Sequence, residues 1–158
     1  MKMTQIIDKL YTQLEAASST LLAAARIYKY DFPTTTDAGS TAWELRLIPL
    51  PSTESADYLG EGGFYGSFQV HIEARCPNAR DSAAALAAAC TMAEEILQVI
   101  ADNRSMTISG ETEAAVMASG SGAYVPLKWD YGSLALGETS YAVVNVTACW
   151  TGPQLAPA

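Results

Sequence analysis

The chain has one histidine, His71, in 158 residues. A hydrolase triad or a multi-histidine metal centre would have a single imidazole to draw on. Cysteine is scarce too. Cys76, Cys90 and Cys149 are odd in number, widely spaced and without a CxxC. That usage predicts reduced thiols in an intracellular compartment, not a disulfide framework. Lys and Arg number 9 against 17 Asp and Glu, a net charge of −8. Such a surface repels phosphate, which argues against direct nucleic-acid base readout and against anionic membranes. The longest apolar run, Ala83 to Cys90, falls far short of the ~20 residues of a membrane helix. The N-terminus lacks the charged-then-apolar pattern of a signal peptide. These features predict a soluble cytoplasmic protein.

What is present suits one globular domain. About half the residues are hydrophobic, and a chain of this size buries roughly 68–70% of its unfolded surface. The expected fold is α+β: a mixed or antiparallel sheet covered by a long helix, with a helix at the N-terminus. The domain is expected over 1–150, with 151–158 a loose tail because "TGPQLAPA" carries two prolines.

In "MTQIIDKLYTQLEAA", Ile6, Ile7, Leu10 and Leu14 recur at helical spacing, and Thr4 offers a cap. "RIYKYDF" reads as a strand that Pro33 ends. "AWELRLIPL" alternates, with Leu45 and Leu47 on one face and Glu44 and Arg46 on the other. "GSFQVHIEARCP" alternates for nine residues. Phe68, Val70, Ile72, Ala74 and Cys76 take the core parity; Gln69, His71, Glu73 and Arg75 take the polar one. "RDSAAALAAACTMAEEILQVIADN" is the clearest helix. Leu86, Cys90, Ala93, Leu97 and Ile100 form its expected apolar stripe, and Asn103 its stop. "SMTISG" and "EAAVMA" read as short strands. "AYVPLKWDYG" alternates, with Val125, Leu127 and Trp129 on one face, and Pro126 marks an edge or a bulge. "LALGET" reads as a turn region and "SYAVVNVTACW" as a strong final strand.

His71 and Glu73 share a face, so they are the obvious acid–base pair. Cys76 lies on the other face, and no second histidine completes a ligand set. The reading is therefore a polar strand face, with no catalytic residue, metal or cofactor assigned. "GEGGFYG" misses the spacing of a phosphate loop and precedes a strand, not a helix. The long stretch from Pro51 to Gly66 is either a plain loop or an adhesive one. Asp57, Tyr58, Leu59, Phe64 and Tyr65 are its candidate interface residues, because aromatics supply large contact area at low entropic cost. Glu111 and Glu113 are candidates from a second loop-rich stretch, Glu111 to Gly122.

The order of elements, carried by "TQIIDKLYTQL", "WELRLIPL", "GSFQVHIEARCP" running into "RDSAAALAAACTMAEEILQVI", and "SYAVVNVTACW", resembles the tail-terminator and tail-completion (neck) proteins of long-tailed bacteriophages. The resemblance spans residues 1 to about 150. It implies a structural virion protein and not an enzyme. Such a protein forms a homo-oligomeric ring, typically sixfold, at the end of the tail tube. It stops polymerisation and presents a docking face to the head. Implied partners are other copies of the chain, the tail tube protein and head–tail connector proteins. The implied location is the virion, with assembly in the host cytoplasm. The alternative reading is a small α+β ligand-binding protein or enzyme that uses the His71–Glu73 face.

Overall fold

Two long strands organise the sheet: β4 (Phe64–Ala79) and β8 (Thr139–Leu155) pair antiparallel along most of their length. The computed structural model describes residues 1–33, 42–50, 57–58, 64–79, 82–118, 127–136 and 139–155. The other elements are α1 (Met3–Glu15), α2 (Thr20–Ala24), α3 (Ser82–Asp102), β1 (Arg26–Lys29), β2 (Glu44–Pro49), β3 (Asp57–Tyr58), β5 (Ser105–Met106), β6 (Ala115–Met117) and β7 (Leu127–Leu136). The described strands form one sheet in the order β1-β2-β4-β8-β6-β5. β3 adds to β4 near its start, and β7 adds to β8. β1 runs parallel to β2 and every other pairing is antiparallel. The fold is α+β, with the helices on one face.

The two-residue alternation of β4 and β8 explains that arrangement. Phe68, Val70, Ile72 and Ala74 are buried, as are Ala142, Val144, Val146, Ala148 and Trp150. They meet in register, Val70 with Ala148 and Ile72 with Val146. One continuous apolar surface results, and α1 and α3 cover it. From α1 come Ile6, Ile7, Leu10 and Leu14, all buried. The start of α1 is capped differently from expectation. Lys2 is the N-cap, and its backbone N–H donates to Gln5 Oε1 at 2.7 Å, while Thr4 is not the cap.

α3 corrects the expected stripe. The residues it buries are Ala85, Ala89, Met92, Ala93, Ile96 and Ile100. Leu86 is exposed, and Cys90 and Leu97 are only half-buried. Ala93 and Ile100 keep their places on the expected stripe, and the buried face is turned from it by less than the roughly 100° of one residue. Small side chains face the sheet because they let the helix axis approach it closely, and that pushes Leu86 outward. By length and composition alone Ala83–Asp102 would suffice to cross a membrane. Here its apolar side is packed on the sheet. Asn103 ends the helix as expected. Its side chain donates to Val99 O and accepts from Gln13 Nε2, and its carbonyl accepts from Trp150 Nε1.

"EAAVMA" is a short strand as expected: Ala115–Met117 pairs with β8, and Ala115 is buried. Two further expectations change. "LAL" of "LALGET" lies in β7, not a turn. The tail expected loose from Thr151 continues β8 as far as Leu155, opposite Phe64 to Ser67.

Candidate functional site

The polar face of β4 was the first candidate, and its residues find partners that do not make an acid–base pair. His71 lies opposite Thr147, and its Nδ1 is 3.1 Å from Thr147 Oγ1. Glu73 turns the other way, towards β2. Its Oε2 accepts from Arg46 Nη2 at 2.6 Å and from Nε at 3.0 Å. The register sets this: Arg46 faces Glu73 directly, whereas Ile48 faces His71. Cys76 lies opposite buried Ala142, on the other face as its parity requires. Among the described residues, no group of three or more His, Cys, Asp or Glu is placed to hold a metal ion.

A segment invisible to periodicity completes this face. Tyr30 has φ of 76°, and the Asp31 N–H donates to Lys29 O at 3.0 Å. A three-residue turn with positive φ at its centre is rare and strained for a non-glycine residue. It throws Asp31 and Phe32 back over the sheet. Asp31 Oδ1 then accepts from Arg46 Nη1 at 2.6 Å. The Phe32 ring lies 3.7 Å from the Arg75 guanidinium and 4.8 Å from that of Arg46. The Phe32 N–H, and after it Arg46, hold the Asp31 carboxyl below its ordinary 3.8. Asp31, Arg46 and Glu73 satisfy one another, and the Arg75 guanidinium is covered by the Phe32 ring.

The opposite situation holds at β7. Among the described strands it pairs only with β8, leaving its other edge unpaired. Trp129 lies opposite Val146, and Tyr131 opposite Val144, so both continue the helix-covered face. Yet Trp129 is 50% exposed, and Tyr131 and Leu134 are exposed as well. Outward-turned Leu86 adds to the uncovered apolar side chains of this part of the fold, where α3 packs against β7. The Cys90 thiol donates to Glu94 Oε1 at 3.8 Å; the neighbouring Cys90, and after it Glu94, raise the Tyr131 phenol above its ordinary 10.0. Exposed Leu134, opposite Tyr141, and exposed Val116 of β6, opposite Thr151, lie on the other face of the sheet. Sequence reasoning placed Leu127 and Trp129 on one face. It missed that the face outruns the helix.

The sequence-selected interface residues are distributed as follows. Asp57 and Tyr58 form β3 and pair with Tyr65 and Phe64 of β4; the placement of their side chains, and Leu59, lie outside the described residues. Glu111 pairs with the Met1 ammonium at 2.7 Å, and Glu113 is exposed. β3 and the start of β4 do come together, at the opposite side of β4 from β8.

No family model and no curated protein matches this chain. A solved structure with an undescriptive name is similar over 100% of this chain and 99% of its own, at 16% identity and a TM-score of 0.47. That likeness carries no argument about function.

Proposed function

We propose that this chain is a structural ring subunit at the end or neck of a bacteriophage tail, where it terminates the tube and offers a face for head docking. The observation that supports this reading is the uncovered edge. A subunit that must bind copies of itself keeps apolar side chains outside its own core and a strand edge free for pairing. Trp129, Tyr131, Leu134 and Val116 do the first, and β7 does the second. Aromatic residues at such an edge supply the contact area that dominates protein–protein binding. On the polar face around β2, by contrast, Arg46 is paired within the chain to Glu73 and Asp31. The partners proposed are further copies in a ring, the tube protein beneath and the connector above. The ligand-binding reading on His71 and Glu73 gains no support from their separate partners.

The test is location. Immunogold electron microscopy of phage particles from the producing strain, with antibody against this chain, should label the head–tail junction and nowhere else. Particles free of label would overturn the reading.

A further inference from the structure

We propose that a second copy of this chain docks on β7, the two strands pairing antiparallel about a two-fold axis through Trp129. This goes beyond the ring reading and does not rest on it, because it concerns the free chain.

The unpaired edge supplies backbone donors and acceptors, which any strand can meet. The side chains select the partner. Lys128 and Asp130 flank Trp129 and lie on the polar face, opposite Thr147 and Asn145. Both are exposed, and Lys128 is in no ion pair among the described residues. Asp130 accepts from Asn145 Nδ2 at 3.0 Å through Oδ1, which leaves its other oxygen available.

A two-fold axis normal to the sheet keeps each face of one copy on the same side in the other. Residues directly opposite must then share parity, so only even registers extend the apolar face. Centring the pair on Trp129 sets Lys128 against the partner's Asp130, and Asp130 against the partner's Lys128. Moving the centre half a residue either way, to a point between two residues, breaks parity. Centring it on Lys128 or on Asp130 instead sets like charges face to face. Charge therefore chooses one register from the available set.

That register has a second consequence. On the helix side, Leu127, Trp129 and Tyr131 meet the partner's Tyr131, Trp129 and Leu127. The exposed aromatic row is covered by its own copy. A ring contact on the same edge would compete with this pair, so the pair must open before a ring closes.

The full chain should be studied by sedimentation equilibrium across a wide concentration range. A dimer is expected. Lys128→Glu and Asp130→Lys should each weaken it by about tenfold, because each converts two attractive cross-strand pairs into repulsive ones. The double variant Lys128→Glu/Asp130→Lys should restore it. Circular dichroism keeps loss of fold separate from loss of pairing. Of the three tryptophans, Trp43 and Trp150 are buried, so iodide quenching reads Trp129, and quenching should fall as the dimer forms. A monomer throughout the range would overturn the proposal and leave the two charges as guards against sheet growth. So would a dimer indifferent to the single reversals, or one that the double reversal does not rescue. A hexamer forming without a dimer would overturn the pair while favouring the ring; a dimer whose antibody fails to label particles would do the reverse.

Discussion

Trp129 and Trp150 are the same residue on the same face of the same sheet, and they have opposite fates. Trp150 is fully buried beneath the helices, and its indole N–H donates to Asn103 O. Trp129 sits on the neighbouring strand β7 and stays half exposed. Both satisfy the alternation of their strands. Alternation assigns a face, and only the element packed above decides whether that face is dry. α3 brings Met92, Ile96 and Ile100 into the core. Near its start it offers Ala85 and Ala89 to the sheet and turns Leu86 out. The uncovered remainder is the surface on which assembly is proposed.

The largest expected effect separates the two tryptophans. Trp150→Ala should destabilise the fold by about 3–5 kcal/mol, through a cavity and a lost indole partner. Trp129→Ala should cost less than about 1 kcal/mol in the dilute monomer. Urea unfolding of the two variants measures the difference, and equal losses would place β7 in the core. The same contrast exists along α3. Ile96→Ala should cost about 2–5 kcal/mol, and Leu86→Ala less than about 1 kcal/mol.

A smaller effect belongs to α2. Glu95 accepts from the N–H groups of Leu21 and Leu22 at 3.0 and 2.9 Å, so a carboxylate from α3 caps this five-residue helix. The N-cap residue Ser19 makes no side-chain cap bond. Glu95→Ala should cost about 1 kcal/mol, as loss of a cap does. Thermal unfolding of the variant beside wild type reads it.

The smallest effect lies on the polar face around β2. The folded-state pKa of Asp31 is depressed, so its contribution to stability is present above the unfolded value, near 3.8, and lost as pH falls through the folded value. An NMR titration of the Asp31 carboxyl should give a midpoint below 3.8, and Arg46→Gln should move it upward. An unmoved midpoint would mean that the Phe32 N–H alone sets it.

Much of this was legible in the sequence because the signals were local. The parity of Phe68 to Ala74 and of Ala142 to Trp150 defined the sheet face. Ile6, Ile7, Leu10 and Leu14 defined the buried side of α1. The phase of α3 was only partly legible: Ala93 and Ile100 are buried as expected, while Leu86 is exposed and Cys90 and Leu97 are half-buried. Its leucines are the larger hydrophobes, but close packing on a sheet rewards alanine, so hydrophobicity alone misplaced part of the stripe. The turn at Tyr30 was hidden because no glycine marks its positive φ. The Glu95 cap and the Glu111 pair with the Met1 ammonium join residues distant in sequence, and no spacing rule reaches them. The β7 belt was half legible: "LKWDYG" showed alternation but not that β7 would be an edge.

The most direct test of the central claim is electron microscopy of the phage particles with this chain labelled. The account predicts label at the head–tail junction, with ring-shaped density at the end of the tube. Label absent from purified particles, or spread along the tail or over the head, would contradict it.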